Sequence, residues 1–252
     1  MNTAIYPSLK DRLVVITGGG SGVGAGITEG FARQGARVVF LDFAVEPSRA
    51  LEASLAHLSP APIFQACDLR DIAQVEACFA AIIAEHGVVD VLINNAANDD
   101  RHSLGEITCA YWDERIAVNL RHLYFATQAV AAGMRARGQG VILNLGSLSW
   151  HLGMADLSIY ETAKAGIEGM TRALARELGK DGVRVSCIVP GNVKTPRQER
   201  WYTPEGEAEI VASQCLDGRL MPSDIAAVAM FLASDDARLI TSHPVFVDAG
   251  WG

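Results

Sequence analysis

The chain has 252 residues, 50% hydrophobic and 20% charged, a balance that suits a folded globular protein and excludes a disordered one. A net charge of −8 without clustered Lys or Arg excludes a nucleic-acid surface, because neutralising phosphates needs a dense basic patch. Cys67, Cys78, Cys109, Cys187 and Cys215 are scattered with no C-x-x-C pair and no apolar run reaches the roughly 18 residues of a membrane span, so no metal site, disulfide framework or membrane partner is expected, and a cytoplasmic protein with reduced thiols is.

The opening residues 1–13 hold no continuous apolar core and no small-residue cleavage site, so no targeting segment is expected. Apolar, β-branched-rich runs then recur at 13–17, 37–42, 62–68, 89–95, 140–147, 183–190 and 243–248. Each is nearly continuous in apolar residues, as strands buried on both faces require. Helices are predicted between them at 22–34, 46–57, 71–86, 111–137, 158–180 and 222–233. Pro222 suits a first helical turn, and Gly35, Gly87 and Gly138 suit helix ends. This alternation predicts an α/β fold over residues 1–252: one doubly wound, Rossmann-type domain with a seven-stranded, mainly parallel sheet and helices on both faces. The stretch 192–220 is long for a connector and predicts a lid over a substrate.

Gly18, Gly22 and Gly24 follow the first strand and open a helix in G-x-x-x-G-x-G spacing. The chemistry that needs this pattern is pyrophosphate binding: a sharp turn, close backbone approach and the unpaired N–H groups of a helix N-terminus. A second register through Gly20, Gly22 and Ala25 can be drawn, but the run LVVIT places the turn at Gly18. A glycine-rich turn without a ligand is the plainer alternative. Asp42 closes the second strand where an acid accepts hydrogen bonds from adenosine ribose hydroxyls. A 2′-phosphate there would meet a like charge costing about 4 kcal/mol at ~4 Å and an effective dielectric of ~20. No Lys or Arg stands at Gly20, Ser21 or Phe43 to offset it, which favours NAD over NADP.

Tyr160 and Lys164 are one helical turn apart and share a helix face. A tyrosine acting as base near neutrality needs its pKa lowered from about 10 by about 2–3 units, roughly 3–4 kcal/mol. An ammonium at about 5 Å supplies close to that amount at an effective dielectric of ~20, and an oxidised nicotinamide adds to it. Ser147 ends a strand upstream, where ligands bind in open parallel sheets, and its hydroxyl is placed to hold the reacting oxygen.

The motifs T-G-x-x-x-G-x-G at 17–24, NNAA at 94–97, Asn119, Ser147, Tyr160-x-x-x-Lys164 and Pro190-Gly191, met in that order, resemble the short-chain dehydrogenase/reductase family over the whole chain. The resemblance implies Tyr160 as general acid/base, Ser147 as oxygen stabiliser, Lys164 as pKa tuner and ribose anchor, and Asn119 in a water-linked proton relay. It implies cofactor contacts from Gly18, Ser21, Gly22, Val23, Gly24, Asp42, Asp68, Leu69, Asn95 and Ala96, and around the nicotinamide from Pro190, Gly191, Val193 and Thr195. Ala97 departs from the glycine usual in the family.

Segments 98–102, 111–122, 147–153, 160–169 and 201–211 resemble sugar 1-dehydrogenases of that family. That implies oxidation of the C1 hydroxyl of an aldopyranose, such as D-xylose or L-arabinose, to the aldonolactone. A sugar needs hydrogen-bonding groups and a flat apolar face, which Asn98, Ser149, His151, Asn192, Gln198, Trp150 and Trp201 offer. Another carbonyl, such as a 3-oxoacyl thioester, and a catalytically silent nucleotide-binding regulator are the alternatives. Apolar residues beyond one stripe on 111–137 and 158–180 suggest a subunit interface, and the resemblance implies a homotetramer.

Overall fold

A computed structural model describes residues 4–252, apart from the side chains of residues 200 and 201. The strands are β1 (Leu13–Thr17), β2 (Arg37–Asp42), β3 (Ile63–Ala66), β4 (Val91–Asn94), β5 (Gly140–Leu145), β6 (Val183–Pro190) and β7 (Pro244–Val247). β1, β4 and β5 are buried along their whole length, which is why their sequences carry no polar alternation. The order is β3-β2-β1-β4-β5-β6-β7, and every neighbouring pair is parallel, so the sheet is wholly rather than mainly parallel.

Side chains alternate across the sheet into two cores. Val14 and Ile16 of β1 meet Ile27 and Phe31 of α1 (Gly22–Arg33) and Ile225 and Met230 of α9 (Pro222–Ala233). Leu13 and Val15 point the other way. They meet Phe79 and Ile82 of α3 (Ile72–His86), Val130 and Met134 of α5 (His122–Arg137), and Leu174 and Leu178 of α7 (Ser158–Leu178). Each such side chain contributes about 1.5–3 kcal/mol by leaving water. Local chemistry sets the ends: Asp71 accepts from the N–H groups of Ala73 and Gln74 at the start of α3, and left-handed Gly138 (φ 71°) stops α5.

The remaining helices are α2 (Val45–Leu55), α4 (Cys109–Ile116), α6 (Ser149–Leu152) and α8 (Pro204–Ala212). The helix predicted over 111–137 begins at Cys109 and is broken by a π-helical turn, Ala117–Arg121, between α4 and α5. The short α6 was not predicted: its four residues are too few for a periodic signal. Segment 192–220 holds a 3-10 turn at Gln198–Trp201 and then α8. Among the described residues no helix is long and apolar enough to cross a membrane.

Because β2 and β3 lie on one side of β1 and β4 to β7 on the other, the chain reverses its order between β1 and β4. Crevices form at such a reversal, beyond the carboxyl ends of the strands. Two glycines fit the first turn there for different reasons. A Cβ on Gly24 would lie 1.9 Å from the Gly18 carbonyl oxygen and 2.6 Å from Asn95 Nδ2, whereas one on Gly22 (φ 52°) would meet only Thr195, at an ordinary contact distance of 3.6 Å, but on a left-handed backbone. Gly22→Ala should therefore cost only about 1–2 kcal/mol, whereas Gly24→Ala has to displace backbone. Thermal unfolding should show the larger loss for Gly24→Ala; equal midpoints would contradict the packing described.

Candidate active site

The carboxyl ends of the central strands open into a crevice of about 1100 Å³. That volume is enough for a dinucleotide with a small substrate beside it. At the β1 end, Ser21 caps α1 without any side-chain hydrogen bond, so the first-turn N–H groups of α1 have no protein cap. Ser21, Gly22, Val23 and Gly24 line the crevice beside Gly18, and a Cβ on Gly22 would project toward Thr195 Cγ2 at 3.6 Å. Asn95 braces this turn: its Nδ2 donates to the carbonyls of Thr17 (3.1 Å) and Gly18 (2.9 Å), and its own N–H donates to Thr17 Oγ1 (3.0 Å). Ala96 and Ala97 follow along the wall, and Ala97 has no left-handed backbone that would call for the glycine usual in the family.

Asp42 is 6% exposed at the end of β2. Its carboxylate accepts from the N–H groups of Gly20 (3.0 Å) and Ala44 (3.0 Å), and two oxygens with about four acceptor positions leave room for further donors. Phe43 lies exposed beside it on the crevice wall. Asp68 also lines the crevice, paired with Arg70 at 2.7 Å, and that guanidinium holds its carboxyl below the usual range. Leu69, Pro190, Gly191, Val193 and Thr195 complete this part of the wall. The residues present fit a nicotinamide dinucleotide: an uncapped helix N-terminus beside a left-handed glycine for the pyrophosphate, and a carboxylate with spare acceptor positions for a ribose.

Ser147, Tyr160 and Lys164 gather at the other end, from β5 and α7. Ser147 Oγ lies 2.9 Å from Ser149 Oγ and accepts from the Ser149 N–H (3.2 Å), so α6 orients it. Lys164 is 2% exposed; its Nζ donates to the Leu145 carbonyl at 2.7 Å and sits 5.4 Å from the centre of the Tyr160 ring. Burial pulls the ammonium from its ordinary 10.5 down to about 8, against the opposing influence of Cys187 and Asp99. Lys164, with an oxidised nicotinamide adding to it, was expected to make Tyr160 acidic; the protein's own groups do not do so. Burial pushes the phenol up and the Asp99 carboxylate adds to it, while the Ser147 hydrogen bond and the Arg197 guanidinium pull it down without prevailing.

Asn119 lies in the π-helical turn, buried and away from the crevice wall. Its Oδ1 accepts from the Asn98 N–H (2.7 Å) and its Nδ2 donates to the Asn98 carbonyl (3.0 Å), so the side chain is committed to holding the loop after β4. Of the residues expected at the substrate, Asn98, Ser149, Asn192 and Gln198 line the crevice. Asn192 Oδ1 accepts from Arg219 (2.8 Å) and from the Tyr202 hydroxyl.

Trp150 and His151 do not line it. Glu168 draws both away, accepting from Trp150 Nε1 and pairing with His151 Nε2, each at 2.9 Å, and the two rings stack with centres 3.8 Å apart. The side chain of Trp201 lies outside the described residues.

Three residues were missed. Asp99 and Arg197 line the crevice and pair at 3.1 Å, while Gln198 Nε2 donates to Asp99 at 2.6 Å, so segment 197–198 bridges to the loop after β4. Asp99 stands in an acidic pair just past a strand end, a positional signal that was available; Arg197 carried none. Trp251 also lines the crevice, although it was not among the residues expected at the site.

A family profile described as enoyl-(acyl carrier protein) reductase matches residues 18–252. The chain is 66% identical over 251 residues, covering 100% of both chains, to D-xylose 1-dehydrogenase of Caulobacter vibrioides. It is 47% identical over 247 residues, 97% of this chain and 96% of the relative, to a probable galactose dehydrogenase of Rhizobium meliloti. A solved structure described as a short chain dehydrogenase/reductase family protein superposes with a TM-score of 0.85 at 32% identity, covering 96% of this chain and 98% of that one. Motif order, sheet topology and full-length similarity agree: the chain belongs to the short-chain dehydrogenase/reductase family and is an oxidoreductase.

Proposed function

We propose that the protein oxidises the C1 hydroxyl of an aldopyranose, D-xylose or a related pentose such as L-arabinose, to the aldonolactone with NAD⁺. The observation that carries the reading is the meeting of the Ser147 hydroxyl, the Tyr160 phenol and the buried Lys164 ammonium in the same crevice that fits a dinucleotide. The named relatives, a D-xylose and a probable galactose dehydrogenase, support an aldose as substrate.

Ser147 holds the C1 oxygen, oriented by Ser149. Tyr160 takes the hydroxyl proton as the C1–H bond breaks and the C1–O bond becomes a carbonyl. NAD⁺, when bound, would supply the hydride acceptor for C1 and a positive charge favouring the phenolate that burial opposes. Lys164 has one N–H spent on the Leu145 carbonyl and two left for the cofactor ribose. Asp42 favours NAD over NADP by the like-charge argument, and the 197–198 bridge supports segment 192–220 as the lid. A cytoplasmic homotetramer belongs to the same proposal; half-exposed Trp112 and Tyr124 on α4 and α5 support a subunit interface.

The family profile's description favours one second reading, a thioester-borne carbonyl or alkene as substrate. Initial rates of NADH formation or consumption across pentoses, hexoses and an acyl thioester separate the two, and an aldopentose with NAD⁺ should give the highest kcat/KM. Tyr160→Phe should lower kcat by about 100-fold or more with NAD⁺ binding retained; an active Phe variant would refute the proton-transfer role. Asp42→Ala should weaken NAD⁺ about tenfold and narrow the preference over NADP⁺, and an unchanged NAD⁺/NADP⁺ ratio would count against the carboxylate as selector.

The depressed Lys164 pKa carries a stability consequence. Between pH 8 and 10.5 the unfolded chain holds the lysine proton more tightly than the folded one, so the charge destabilises the fold fully below 8 and not at all above 10.5. The cost is about 3 kcal/mol at neutral pH. Lys164→Met should thus be at least as stable as wild type at pH 7 while losing turnover, with its advantage shrinking as pH rises toward 10. Denaturant midpoints at pH 7 and 9.5 test this, and a growing advantage at high pH would reverse the sign.

A further inference from the structure

The aromatic residues expected to offer a sugar its flat apolar face are Trp150, which is turned to Glu168, and Trp201. Among the described residues lining the crevice the aromatic side chains are Phe43, Tyr160 and Trp251. Phe43 stands beside Asp42, at the far end from Ser147, and Tyr160 is committed to the proton. Trp251 belongs to the catalytic end: it packs against the buried cluster of Leu123, Leu148, Ile167, Cys187 and Val189, and Leu148 directly follows Ser147.

The segment after β7 is built to hold that indole in place. Asp248 is 8% exposed, and its two oxygens accept from the N–H groups of Gly250 (3.0 Å) and Gly252 (3.1 Å), closing a hook around Trp251. Ala249 (φ 57°) and Gly250 (φ 78°) are both left-handed, a conformation that an alanine adopts only where its surroundings enforce it. The enforcement is visible: the Ala249 carbonyl accepts from the N–H groups of Cys215 (2.9 Å) and Leu216 (3.1 Å), which come from segment 192–220. A Cβ on Gly191 would lie 2.8 Å from Asp248 Cα, so the Pro190-Gly191 turn is pressed against the hook as well. The hook is therefore tied both to the crevice wall and to the proposed lid.

We propose that the indole of Trp251 is the apolar platform on which the pyranose ring lies, held there by Asp248. A pyranose presents a patch of C–H bonds on one face and hydroxyls around its edge. The half-buried indole meets the C–H face, and Asn98, Asp99 and Gln198 line the same crevice as acceptors and donors for the edge. The inference rests on the aldose reading above and deepens it.

The test uses full-length protein with NAD⁺ and an aldopentose, comparing wild type with Trp251→Ala, Trp251→Phe and Asp248→Asn. Trp251→Ala should raise the KM for the sugar about tenfold while changing kcat less than about threefold, the pattern of a lost binding contact. Trp251→Phe should recover most of the loss, Asp248→Asn should fall between, and NAD⁺ affinity measured by titration should stay within about twofold throughout. An unchanged sugar KM in Trp251→Ala, or a rise matched by weaker NAD⁺ binding and a lower Tm that Phe does not rescue, would overturn the inference and leave the aldose reading intact. A wild-type protein that turns over no aldose overturns both.

Discussion

The Lys164 ammonium, donating to the Leu145 carbonyl at the end of β5, joins the helix that carries the Tyr160 phenol to the strand that leads into Ser147. A charge with 2% exposure is expensive to hold, and its pKa near 8 is the sign of that cost. The bond ties α7 to the end of β5, beside the crevice that Tyr160 and Ser147 both line. Without it the spacing of Tyr160 and Lys164 would describe only a helix face.

The rest of the site follows from parallel strands ending on the same side. β1 delivers the glycine turn, β2 the Asp42 carboxylate, β4 the loop with Asn98 and Asp99, β5 Ser147, and β6 the Pro190-Gly191 turn. Some side chains that the resemblance assigns to the cofactor and to catalysis serve as scaffolding here. Asn95 braces the glycine turn through two carbonyls, and Asn119 holds the backbone of Asn98. Such contacts use buried amides where an unpaired backbone group would otherwise cost about 1–3 kcal/mol.

The phenol shows how charge and burial compete. A lysine 5.4 Å from the ring centre is near the separation at which attraction is worth a few kcal/mol, yet desolvation prevails and the phenol stays protonated. The Lys164 Nζ is turned to Leu145, and Asp99 adds negative charge to the same space.

Strand positions, most helix positions and the gathering of the glycine turn, Asp42, Ser147, Tyr160 and Lys164 at one crevice were legible in the sequence, because each depends on local spacing: continuous apolar runs, a left-handed glycine after a strand, one helical turn between two side chains. The π-helical turn at Ala117–Arg121, the capture of Trp150 and His151 by Glu168, and the Arg197–Asp99 bridge were not legible. Each joins residues whose sequence separation carries no periodic signal. Composition announces that tryptophans are present; only tertiary packing decides that Trp150 turns to a half-buried carboxylate and that Trp251, inside the hook closed by Asp248, reaches the crevice. The direction of the Tyr160 shift was likewise settled by burial, a property of the folded surroundings rather than of the neighbours along the chain.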